Sequence, residues 1–228
     1  MGHPLPEPPD PRVVLAAAAA RWDRVAGRLT PAARERLAAL LGLVRDPDRD
    51  PRTRAAAASD AAALLSEELP DEFGADAGAR LVATAPAAGG QPAVDGFVAE
   101  DLAVLLIDGH RMVGPVLGPV RDRLLAEPAL DADELARRGG APTAPGLIRL
   151  PGVGGRLRLP RFQFSEDTLP WLVVLEVNAL LAADRDPWGA ADWWLSANAW
   201  LGTSPVELLG TGHDRRLVDT ARFLMESE

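Results

Sequence analysis

Hydrophobic positions recur at spacings of three and four through most of the chain, the signature of amphipathic helices. Leu15, Ala18, Trp22, Val25 and Leu29 form one such stripe. Thr30 as N-cap with Pro31 at the first helical position restarts the chain. The next stripe, Leu37, Leu40, Leu41 and Val44, ends before 45–52, where Asp-Pro occurs twice and disfavours helix. Ala57, Ala61, Leu64, Leu65 and Leu69 face inward on a third helix. The pattern therefore predicts an N-terminal helical bundle over 13–82. A proline-rich flexible tail, 1–12, precedes it, and an Ala/Gly/Pro linker, 83–96, follows.

From Phe97 to Ile107 the chain is nearly continuously apolar, broken by Glu100 and Asp101, and reads as a buried helix ended by Asp108-Gly109. A second helix is expected from Pro119, burying Val120, Leu124 and Leu125. A third starts on Asp131-Ala-Asp-Glu134, with Leu135 inward and Gly139-Gly140 as its stop. Leu147–Leu150 and Arg156–Leu159 alternate apolar and charged residues around Pro-Gly-Val-Gly-Gly, the pattern of a β-hairpin with one solvated face. Helices followed by a basic hairpin are the layout of a winged helix-turn-helix. Here the helix before the hairpin is too short and too Gly/Pro-rich to read bases, so 97–159 is a degenerate winged-helix-like segment.

A composition change marks the last segment, 160–228, where five of the six Trp lie between Trp171 and Trp200. Leu169, Leu172, Val173, Leu175 and Leu180 predict one helix. Asp186-Pro-Trp-Gly opens a second, and Ser204-Pro-Val-Glu207 carries a capping box for a third, closed by Gly210 and Gly212. Thr211 and Asp214 precede a final helix with Leu217, Val218, Ala221, Leu224 and Met225 inward. Trp193 and Trp194 are consecutive and cannot both face inward on a helix. One of them, with Trp188 and Trp200 near segment ends, is expected to meet a partner.

Composition removes most chemistry. Without cysteine there are no disulfides, thiolate nucleophiles or sulfur-based zinc sites. Every basic residue is Arg, which fits codon bias better than function. His3, His110 and His213 are scattered without ligand spacing, and no Gly-x-Ser-x-Gly elbow supports the carboxylate–imidazole neighbours. Gly152-Val-Gly-Gly155 lacks a following Lys and reads as a turn. The residues thus predict no enzyme, no cofactor and no metal site. Net charge of −9 opposes nucleic-acid binding by the protein as a whole and leaves only a local patch, Arg149, Arg156, Arg158 and Arg161, for DNA backbone contact. No stretch reads as a secretory signal or membrane span, so a cytoplasmic location without membrane contact is expected.

The segment Pro160-Arg-Phe162-Gln163-Phe164 resembles the Pro-x-Phe/Trp-Gln-Phe start of the toxin-binding domain shared by antitoxins of the Xre, MbcA and ParS group. Trp194-Leu195, Asn198, Leu201-Gly202, Pro205, Leu208-Leu209 and Gly212 are similar, in order and spacing, to that family's later pattern. The resemblance covers the C-terminal third. It implies a helical toxin-binding-like module that neutralises a RES-domain, NAD-degrading toxin by packing over it and obstructing its active site, without catalysis of its own. Candidate partner contacts are Trp188, Trp193, Trp194, Asn198, Trp200, Arg215 and Arg216. Two readings stand beside it: a DNA-binding regulator on its own promoter, using the module to form a homo-oligomer, and a non-enzymatic scaffold of a bacterial conflict or defence system.

Overall fold

A computed structural model describes residues 9–74, 90–166 and 168–226. The chain is mainly helical with a few small antiparallel sheets, and it divides into two compact units, 1–119 and 120–228. The winged-helix-like segment expected over 97–159 is therefore split between them. Half of the linker expected at 83–96 lies outside the described residues, as does most of the 1–12 tail.

In the first unit α1 (Pro11–Ala20) starts within the expected tail, because Asp10 caps it through the Arg12 amide and Pro11 takes the first position. All seven residues from Val13 to Ala19 are buried, so α1 is not a one-sided stripe but the central helix of the unit. Its alanines let neighbours approach closely. The chain breaks at Arg21 into a short α2 (Trp22–Val25), and α3 (Pro31–Arg45) begins as expected with Thr30 Oγ1 accepting from Ala33 N–H at 3.1 Å. α4 (Pro51–Glu68) begins on Asp50, four residues before the Ala-rich stretch, and α5 (Pro70–Phe73) closes the bundle. Buried Glu72 on α5 is met by Arg21, Arg24 and Arg28.

The last linker residues pair as β1 (Ala93–Val94) with β2 (Phe97–Val98) around Asp95-Gly96. α6 (Ala99–Ala103) runs directly into a π-helical turn, Val104–Asp108, which ends on left-handed Gly109. Asp108 is buried and takes a bidentate pair of hydrogen bonds from Arg45, both 2.9 Å. Burial opposes the charge on that guanidinium, but the hydrogen bond with Asp108 and the charges of Glu100 and Asp108 outweigh it, raising the Arg45 pKa above the usual arginine value.

α7 spans Gly114–Ala126, so Pro119 is an interior residue and not the first one. In the second unit β3 (Ala129–Asp131), absent from the sequence pattern, precedes α8 (Ala132–Arg137), which Asp131 caps through Glu134 N–H at 2.6 Å. β4 (Leu150–Pro151) and β5 (Leu157–Pro160) form the expected hairpin. β3 joins it in the order β3–β5–β4, with Leu130 opposite Leu159. A smaller pair, β6 (Phe164–Glu166) and β7 (Leu169–Pro170), leads into α9 (Leu172–Leu180), α10 (Pro187–Leu195), a single 3₁₀ turn Pro205–Leu208, and α11 (Asp214–Glu226).

In three places this unit differs from the sequence pattern. α9 buries Val173, Val174, Val177 and Asn178, while Leu169 and Leu172 point outward. On a helix apolar almost all round, spacing cannot say which side is core. Met225 on α11 also lies outward, because the buried stripe is Leu217, Val218 and Ala221. Ser204 makes no side-chain cap bond, and Thr203 Oγ1 reaches Glu207 in its place.

Candidate functional site

Beneath the surface of the second unit, Gln163 and Asn178 are fully buried and linked to Trp194 in a polar chain. Gln163 Oε1 accepts from Ile148 N–H at 2.6 Å, and its Nε2 donates to Ile148 O at 3.0 Å and Pro160 O at 3.3 Å. Asn178 Nδ2 donates to Gly146 O at 2.7 Å, while its Oδ1 accepts from Trp194 Nε1 at 2.8 Å. Trp194 is sealed between Phe162 and Trp193, ring centroids 5.7 and 5.1 Å away. Its expected role as a partner contact is withdrawn: no surface of it is left to offer. Trp193 and Trp188 are half-buried against the same core.

What remains outside is Trp200. It is 59% exposed and meets Phe223 of α11, itself 53% exposed, edge to face at 5.2 Å. Its position is fixed from two sides. Asn198 Oδ1 accepts from Trp200 N–H at 3.0 Å and Leu201 N–H at 3.2 Å, and the turn closes with Asn198 N–H on Thr203 O at 3.1 Å. Arg216 Nη2 donates to Trp200 O at 2.7 Å. Asn198 thus positions Trp200, and Arg216 shares that role.

The aromatic pair walls an open groove of about 660 Å³, with Gly212, His213, Arg215, Asp219 and Thr220 on its other sides. Thr211 Oγ1 lies 2.7 Å from Leu208 O and 2.8 Å from His213 Nδ1, which ties the imidazole to the turn before α11. The groove combines apolar faces, an imidazole and two guanidiniums, a set able to bind an apolar or anionic group. Sequence reasoning missed Phe223, which falls on the polar face of α11. Its signal was a large aromatic out of phase with the Leu217–Ala221 stripe.

The hairpin arginines are dispersed. Arg149 bonds Ala144 O at 3.0 Å and Asp184 at 2.8 Å, Arg158 reaches Glu127 O at 3.3 Å, and Arg161 holds Phe164 O at 3.0 Å. Arg156 is exposed beside the turn. Three of the four residues expected on phosphate are therefore tied to the fold itself.

Among the described residues no group of three or more His, Cys, Asp or Glu could hold a metal, and no helix is long and apolar enough to cross a membrane. No protein-family model, curated protein or solved structure matches the chain.

Proposed function

We propose that this chain is an antitoxin-like, non-enzymatic protein of the cytoplasm, whose C-terminal unit binds and inhibits a RES-type, NAD-degrading toxin. The observation that carries the reading is Trp200: a large aromatic held outward by hydrogen bonds to its own backbone from Asn198 and Arg216. A tryptophan pre-positioned in this way loses little conformational entropy on docking, and Trp and Arg are the commonest anchors of protein interfaces. The partner's identity rests on the resemblance at Pro160–Gly212. Co-expression with the product of the neighbouring reading frame tests it. The product is expected to be toxic alone, harmless with this chain, and to co-purify with it; a harmless product or the absence of a complex overturns the reading.

One observation favours a second reading. A sheet ordered β3–β5–β4, with α8 between β3 and β4 in the chain, supports reading this stretch as a degenerate winged helix whose wing would carry Arg156. In that reading the chain binds promoter DNA through its backbone, with the salt slope reduced by about one in Arg156→Ala.

A further inference from the structure

The outer side of α11 carries a second feature. Arg215, Asp219, Arg222 and Glu226 stand at i, i+4, i+7 and i+11, which places them in one sector about 60° wide at 3.6 residues per turn. Their charges alternate along the helix. The stripe is a ridge between two grooves, the aromatic one beside Trp200 and Phe223 and another of about 460 Å³ bounded by Leu172 and Glu176 of α9. Leu172 is 84% exposed. Among the described residues the ion pairs of the stripe are long and exposed, Arg215 to Asp219 at 3.7 Å and Arg222 to Asp219 at 3.5 Å, and contribute little.

We infer that a second copy of this chain covers this face, with the two α11 helices antiparallel about a two-fold axis level with Thr220 and Ala221. Reversal about that point sets Arg215 against Glu226 and Asp219 against Arg222, and symmetry repeats both contacts. A parallel arrangement sets each charge against its own kind and is excluded. An acidic partner would meet Asp219 and Glu226, and a basic one Arg215 and Arg222; the alternating surface that matches every position is the one this chain already owns. Each charged ridge lies beside its counterpart in the aromatic groove of the other copy, so that Trp200 and Phe223 leave water together.

A helix of 13 residues is about 20 Å long, which limits the interface to the small, transient class, with a dimer Kd on the order of 10–100 µM. The dimer shares the aromatic groove with the docking reading, so a toxin would have to displace it. The self-complementary charge register of α11 does not depend on that reading, and its test uses the chain alone.

Sedimentation equilibrium of the full chain up to roughly 500 µM gives the oligomeric state. Wild type is expected to dimerise, more weakly in high salt. Asp219→Arg and Arg222→Asp each place like charges across the axis and are expected to weaken the dimer at least about tenfold, with circular dichroism and melting unchanged. An equimolar mixture of the two variants restores opposite charges only between different chains, so a mixed dimer of near wild-type affinity is expected. A monomeric wild type, single variants that dimerise as wild type does, or a mixture that stays monomeric would each overturn the inference.

Discussion

The indole N–H of Trp194 ends on the side-chain oxygen of Asn178, 2.8 Å away, with both residues fully buried. Through Gln163 this contact continues to Ile148, so one polar chain joins the sheet side of the unit to α9 and α10. The same chain settles which tryptophan faces in and which is left for contact.

Gln163→Leu keeps the volume but strips Ile148 N–H and C=O of their buried partners. The expected cost is about 2–4 kcal/mol, and the melting temperature of this unit falls by on the order of 10 °C. Calorimetry checks it; an unchanged transition would show that the chain of bonds is not what holds the elements together.

Arg45→Met removes the bidentate cationic partner of the buried Asp108 carboxylate and is expected to destabilise the first unit by about 3 kcal/mol. Changing both residues, Arg45→Met with Asp108→Leu, is expected to recover most of that. Denaturant titration of the two variants and the parent measures the difference.

Gly109 and Gly114 both have left-handed backbones, at φ +75° and +77°, but differ in their surroundings. A Cβ on Gly114 would lie 2.7 Å from the Phe97 ring, whereas one on Gly109 meets nothing within 4 Å. Gly109→Ala is therefore expected to cost about 1 kcal/mol and Gly114→Ala clearly more, as read from their urea midpoints.

Asp50, the cap of α4, has its pKa lowered by hydrogen bonds from the Thr53 hydroxyl and backbone N–H. A carboxylate with a depressed folded-state pKa stabilises above the ordinary carboxylate range and loses that contribution as pH falls through its folded value. The NMR titration midpoint of Asp50 should lie below that of a free aspartate. Asp50→Ser should keep the cap while removing this part of the acid dependence.

Local signals were legible in the sequence. The caps at Thr30, Asp131 and Asp186 each need only the next three residues, and all three form. Longer-range features were not. β3 is three residues without alternation and exists because β5 is there to pair with it. Pro119 signals a helix start, yet α7 runs through it from Gly114. Gln163 and Asn178 lie 15 residues apart in segments otherwise apolar; with only two Gln and two Asn in the whole chain, their placement there was the available hint of a buried network. Of the docking residues, Trp200 was legible as a candidate, but the turn that holds it depends on Arg216, sixteen residues away.

The most direct test of the account is isothermal titration of the neighbouring gene's product with the wild-type chain and with Trp200→Ala. A complex is expected for wild type, weakened by about 2 kcal/mol or more in the variant while its melting temperature stays put. Equal affinity for the two proteins, or no binding to either, would contradict the claim that this tryptophan is a docking anchor.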